Sequence, residues 1–258
     1  MNRKILLTFP ALAALFASCA SVSKPPSAGA TLVLGNTYVF RGVPQATDGV
    51  LQGDMHASVT DDADATYTIT GWANMNLSSE GDDGIFPADK DGKVTEFDLV
   101  PEYSRRFGEW TAAVGFVNYN FPNDVGLSTT EVYAAVGHDD VLKPKLTIYY
   151  DIEEVEGLYV NAAISHAWQV AEKVTVEAGA SLGYASERMG SAYWLDRSAG
   201  MADLVARVGG AYAITPHCSL TAAVYASTIL DSSYGDALDA AGIDQDNVWV
   251  LIGAAWSF

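Results

Sequence analysis

Acidic and basic side chains in this sequence recur at even spacings. Asp54 and His56 stand two apart, as do Glu96 and Asp98, and Asp151 and Glu153. Glu102 and Arg106 continue the Glu96 series, and Asp203 and Arg207 stand four apart. Even spacing places side chains on one face of an extended strand. Arg41, Glu131 and Glu177 fall on polar faces of the same kind. In a pore with walls of low dielectric, such carboxylates attract cations and exclude anions. The same residues also allow the opposite outcome. Arg41, Arg106 and Arg207 are the natural partners of the acids, and charges paired across a filled interior let nothing pass.

Other chemistries have weaker support in the sequence. The four histidines, His56, His138, His166 and His217, show neither a nucleophile pairing nor a His-x-x-x-His metal spacing. His138 and His217 fall beside turns, His166 belongs with Trp168 in an interfacial belt, and His56 faces inward beside Asp54. No enzyme, metal site or cofactor is expected. A hydrolase would require Ser165 and His166 to share a third polar partner. The acidic stretch from Ser78 to Gly92 carries Glu80, Asp82, Asp83, Asp89 and Asp91, without the ordered Asp spacing and terminal Glu of an EF-hand loop. It reads as a solvated loop. Trp72 and Trp249 fall on inward faces, where core filling or sugar stacking are the alternatives.

These faces need elements to hold them, and composition limits the choice. Asp and Glu number 32 against 14 Lys and Arg, for a net charge of −18. A chain this acidic repels nucleic acid and anionic lipid. A charged fraction of 18% with 23 Gly, 13 Tyr and 6 Trp excludes a disordered chain or a coiled coil. Beyond the first twenty residues no apolar run is long enough for a spanning helix. The N-terminus is an address. Arg3 and Lys4, the apolar stretch Ile5 to Phe16 and the small residues from Ala17 to Ala20 make a secretory signal over residues 1–18. Cleavage before Cys19, with lipidation of that cysteine, competes with cleavage after Ala20. Residues 19–29 then form a polar tether and 30–258 one domain. Cys218 is left without an intramolecular partner, so a closed hydrogen-bonded barrel must supply the stability a disulfide would give.

The period of that domain is two. In Asn247 to Phe258, Val248, Val250, Ile252, Ala254, Trp256 and Phe258 share one face, with Gly253, Ala255 and Ser257 opposite. Lys173 to Tyr184, Lys145 to Glu153, Leu51 to Val59 and Ala202 to Ile214 repeat the scheme. Apolar-out, polar-in alternation in strands this long suits a membrane barrel better than a soluble sandwich. Short turns and longer polar loops alternate along the chain, as periplasmic turns and outer loops do. The strands read as 30–41, 50–60, 65–77, 94–106, 109–121, 129–138, 144–153, 157–170, 173–185, 201–214, 217–228 and 247–258. Twelve is even, and it puts both chain ends on one side. Phe258, two after Trp256, sits at the membrane boundary and is the expected contact for barrel-assembly machinery.

Particular residues also carry a likeness. Tyr38 to Gln45 (YVFRGVPQ), Glu96 to Leu99 (EFDL), Val117 to Pro122 (VNYNFP), Thr130 to Tyr133 (TEVY) and Leu146 to Asp151 (LTIYYD) resemble the TorF-type porin family of Gram-negative bacteria. The likeness covers roughly residues 30 to 185. Pro44 departs from the serine expected in the first motif, and Cys19 is not a typical family feature. The resemblance implies an outer-membrane barrel more firmly than any substrate.

The expectation is therefore an all-β, up-and-down transmembrane barrel in a Gram-negative outer membrane, with lipid around it and small hydrophilic solutes or cations passing through. The rival is a sealed barrel with a structural or adhesive role. A lipid-tethered β-sandwich is the third reading.

Overall fold

The structure, a computed structural model, describes residues 24–78, 84–85, 89–123 and 128–258. The signal, Cys19, Glu80, Asp82 and Asp83 lie outside the described residues, as do tether residues 19–23. Twelve strands close one antiparallel barrel. In chain order they are β1 (Ser27–Gly35), β4 (Val50–Thr60), β5 (Ala65–Asn76), β6 (Lys93–Phe107), β7 (Trp110–Asn120), β8 (Thr129–His138), β9 (Lys145–Asp151), β10 (Leu158–Ala171), β11 (Val174–Ala185), β12 (Gly200–Thr215), β13 (Cys218–Ile229) and β14 (Asp246–Ser257). Each wall strand pairs with its sequence neighbour, and β1 closes the ring against β14 with Leu32 opposite Ala254. Closure removes every free edge, so the wall's backbone groups are satisfied without water.

Alternation sorts the side chains. Leu32, Met55, Phe116, Ile148, Ile164, Val208, Val224 and Ile252 point outward and are exposed. The outward face also carries aromatic residues at both ends of the strands. Tyr67, Tyr103, Trp110, Trp168, Tyr212, Trp256 and Phe258 lie toward the short turns, and Phe97, Tyr150 and Tyr184 toward the long connections. An apolar band between aromatic girdles is a surface built to be solvated by acyl chains. The sandwich reading fails here, because these side chains are not buried between two sheets. No helix among the described residues is long and apolar enough to cross a membrane.

Both ends of the first strand differ from expectation, for one reason each. The wall starts at Ser27, so the last residues assigned to the tether are strand, paired through Ser27 with Ser58 of β4. At its other end β1 stops at Gly35 rather than at Arg41. The chain leaves the wall there and forms a small separate hairpin of β2 (Tyr38–Phe40) and β3 (Val43–Ala46). Its two turn residues, Arg41 (φ 49°) and Gly42 (φ 79°), both take positive φ. That is the requirement of the tight primed hairpin turn, and a glycine meets it without steric cost. The run Tyr38 to Phe40 has the composition of a wall strand, so its alternation alone does not separate the two fates.

Among the described residues two helices complete the long-connection end: α1 (Glu187–Tyr193) and α2 (Ser232–Ala240). Asp231 caps α2, its carboxylate accepting the Ser233 N–H at 2.9 Å. The Tyr234 hydroxyl donates to the Ser198 carbonyl at 2.7 Å, tying the two helical loops together.

Candidate functional site in the barrel lumen

The hairpin is folded into the barrel, beneath the two helical loops. Val43, Tyr159, Ala185, Met189, Trp194, Ala202, Ile229, Tyr234 and Leu238 form one buried apolar cluster across this end. Tyr38, Ala46 and Val50 form another, with Phe40, Trp72 and Phe121 packed on it. The rings of Tyr159, Trp194 and Tyr234 stack in sequence, at 6.2 Å and 5.4 Å between centroids. Asn247 of β14 holds the turn from the opposite wall, its amide donating to the Gly42 carbonyl at 3.1 Å.

Arg41 is the centre of this arrangement. It is not a wall residue, as its place in a strand over 30–41 would require, but the tip of the hairpin. Its guanidinium donates to both oxygens of Glu131 on β8, at 2.8 Å and 2.6 Å. Both side chains are buried, so this is a bidentate, desolvated pair. Phe40, Tyr149, Tyr159 and Tyr193 surround the cation, with ring centroids 4.8, 5.3, 4.1 and 5.3 Å from Cζ. Such contacts range from about 0.5 kcal/mol at exposed sites to about 2 kcal/mol when desolvated. Spacing alone places Glu131 on an inward face, but it gives no sign that a cation from a distant segment enters beside it. The signal that marked the segment was Arg41-Gly42 followed by Pro44, a residue without an N–H for a wall ladder.

The remaining inward residues sort by height. Glu96, Asp98, Asp151 and Asp203 are buried near the hairpin. Asp203 accepts the Tyr159 hydroxyl at 2.8 Å. Gly183 leaves the room for this bond, since a Cβ there would run into the Asp203 carboxylate. Glu96 accepts the Tyr38 hydroxyl. Asp151 accepts the Thr129 hydroxyl and the N–H groups of Glu153, Val155 and Glu156, so it anchors a connection instead of facing a passage. Glu153 lies past the end of β9, exposed in that connection, and is not on the wall. Between β4, β5 and β6 a ladder of buried amides runs from Gln52 to Asn74 to Asn76, joined by Thr95.

Toward the short turns the lumen is wetter. Glu177 pairs with Arg207 at 2.6 Å, both half-exposed. Glu102 accepts the Tyr133 hydroxyl at 2.9 Å. Asp54 lies 3.1 Å from His56 Nδ1. Arg106 reaches the rim and pairs with Asp139 at 2.8 Å, in solvent. A cavity of about 280 Å³ opens among Gln52, Asp54, Trp72, Arg207 and Tyr225. A second, of about 320 Å³, lies under Arg41 between Tyr119, Tyr149, Tyr159 and Asp203. Trp249 stacks on Tyr225 at 5.0 Å and is buried, so its inward face is packed.

Ser165 and His166 occupy adjacent positions of β10 and so face opposite sides of the wall; the His166 ring binds the Val141 carbonyl. Among the described residues they share no third partner. Among the described residues no three His, Cys, Asp or Glu converge to hold a metal ion.

No protein-family model matches the chain, and no curated protein matches it. Solved structures do. The COG4313 outer membrane channel from Pseudomonas putida F1 superposes with a TM-score of 0.54 at 9% identity, over 93% of this chain and 97% of that one. The NanC porin superposes with a TM-score of 0.50 at 8% identity, over 89% and 98%. At such identities the likeness concerns the fold: a closed twelve-stranded transmembrane barrel.

Proposed function

We propose that this chain is a bacterial outer-membrane channel for passive diffusion of small hydrophilic solutes, with a preference for cations. The termini and short turns then face the periplasm, and the hairpin closes the outer mouth in the state described. The carrying observation is a lumen lined by more carboxylates than bases, inside a barrel whose outer surface is apolar. Glu102, Asp54, Glu177 and Arg207 line the wetter half, where ions would keep most of their hydration. The resemblance to TorF-type porins and the folds of the two barrels above support this reading. Purified, heat-modifiable protein in planar bilayers under a KCl gradient tests it. Single-channel steps with a reversal potential of cation sign are expected; anion sign removes the selectivity.

A second reading has its own observation. The apolar cluster around Trp194, Tyr234 and Leu238 fills the outer end as a core fills a domain. A barrel sealed there would serve a structural or adhesive role through its acidic loops. Persistent silence of correctly folded protein, with and without the hairpin, favours it.

A further inference from the structure

The acids near the hairpin do not balance. Glu96, Asp98, Glu131, Asp151 and Asp203 are all buried, and Arg41 is the guanidinium among them. Four of the five have a protein partner in place. Glu131 has Arg41 and the Tyr119 hydroxyl, Asp203 has Tyr159, Asp151 has its backbone N–H groups, and Glu96 has Tyr38. Asp98 is the exception. It is 7% exposed, and its Oδ1 is buried without a hydrogen-bond partner. Glu96 stands two residues before it on the same strand face, and Tyr119, the register partner of Asp98, gives its hydroxyl to Glu131, whose charge Arg41 already takes up. Burying an isolated carboxylate is unfavourable unless a counter-charge or a proton compensates it.

We propose that Asp98 and Glu96 form a binding station for a hard, oxygen-ligated cation in the lumen. The two stand on one inward face of β6, with Cα atoms about 7 Å apart by strand geometry. Trp72 and Asn74 are their register partners on β5, and Tyr119 is the partner of Asp98 on β7. Tyr38 of the hairpin covers the pair, its ring 5.4 Å from Trp72 and its hydroxyl on Glu96. Carboxylates and hydroxyls are ligands for Na⁺, K⁺, Mg²⁺ or Ca²⁺, and two carboxylates without a third ligating acid suit a cation that keeps part of its water. Transition metals, which favour imidazole and thiolate, have no such ligands here. The station deepens the cation preference proposed above, by assigning it to named residues, and it is tested without conduction.

The probe is Tb³⁺, a hard cation whose emission is sensitised by a nearby indole, here Trp72. It is titrated into the folded protein in detergent, with emission read on indole excitation. Wild type is expected to emit, K⁺ and Ca²⁺ to compete in separate arms that identify which class binds, and Asp98→Asn and Glu96→Gln each to lose most of the competed emission. Glu187→Gln, on the exposed surface of α1, keeps the wild-type response. Because a variant at the pair can disturb folding, the thermal midpoint of wild type is also compared in KCl, CaCl₂ and N-methylglucamine chloride at equal ionic strength. A higher midpoint with either metal salt supports the station. Emission unchanged in both pair variants, or no competed emission with identical midpoints in all three salts, overturns it. A cation site in a barrel that never conducts would leave the station standing and remove only the channel reading.

Discussion

The two halves of this lumen are built from the same alternating strands and solve opposite problems. Toward the short turns, Arg207 and Glu177 remain 35% and 39% exposed, and their pair is one charge contact in a hydrated space. Toward the long connections, Arg41 and Glu131 are 6% and 0% exposed and are enclosed by four aromatic rings. The wall does not cause that difference. It comes from what enters the barrel: a hairpin after β1 and two helical loops that lock over it. The wetter half sets a potential, whereas the filled half holds a shape. Filling also changes the meaning of each inward acid. On a hydrated wall a carboxylate keeps water as its partner. Under the hairpin it needs a fixed partner, and Arg41, Tyr159 and the backbone beyond β9 are such partners.

Removing the filled half is the largest perturbation available. Gly35 and Val50 are register partners, so the wall on either side of the hairpin is already in contact and can be joined by a short turn. Replacing Thr37 to Thr47 with two glycines should leave the ladder closed and the protein heat-modifiable. Conductance in planar bilayers should then rise severalfold above wild type. Steps of unchanged size from the shortened protein would mean that the hairpin does not limit passage.

Breaking the central pair comes next. Glu131→Gln leaves a guanidinium desolvated without its counter-charge, and losses of this kind run to about 3–5 kcal/mol. The loss should fall on hairpin docking and spare the barrel, because the wall's hydrogen bonds do not involve Arg41. Hydrogen exchange separates the two: amides of Tyr38 to Ala46 should lose protection while those of β8 keep theirs. Uniform loss across the barrel would show that hairpin and wall unfold as one unit. In the wetter half, Arg207→Ala should cost about 1 kcal/mol or less, since solvent screens a half-exposed pair. Its effect belongs to selectivity. Freeing Glu177 should shift the reversal potential further toward cations, and a shift toward anions would contradict the proposed polarity.

How much of this was legible follows from what a period of two can encode. Alternation is a property of neighbouring residues, so it fixed which side of the wall Asp54, Glu102, Glu177 and Asp203 occupy. Turn residues fixed where the wall reverses, and twelve strands follow from both. The hairpin obeys the same local rules with a different destination. Tyr38, Val39 and Phe40 alternate as wall strands do, and only Gly42 and Pro44 hint at departure. Its place is set by Glu131, ninety residues on, by Asn247 at the far end of the chain, and by Trp194 in a loop. None of these contacts leaves a mark in a short window. Asp151 and Glu153 show the same gap: their spacing matched a wall face, but the chain turns between them, and the first binds the turn that exposes the second. The signal for that turn is an Asp followed by free backbone N–H groups, which alternation does not register.

The smallest effect gives the strictest test of the comparison. Arg106 and Asp139 approach to 2.8 Å, a distance matched by Arg41 and Glu131, yet their side chains are 58% and 54% exposed at the short-turn rim. Distance alone would rank the two pairs as equals. Burial ranks them apart: water and salt screen the rim pair, which also costs side-chain entropy to hold, and such pairs contribute about 0–1 kcal/mol. Arg106→Ala should therefore leave the unfolding midpoint within error of wild type, with hairpin amides fully protected. Raising the salt concentration should erase whatever difference remains. An Arg106→Ala loss as large as that of Glu131→Gln would mean that desolvation is not what separates the halves, and that the rim charges hold the barrel as firmly as the pair enclosed within it.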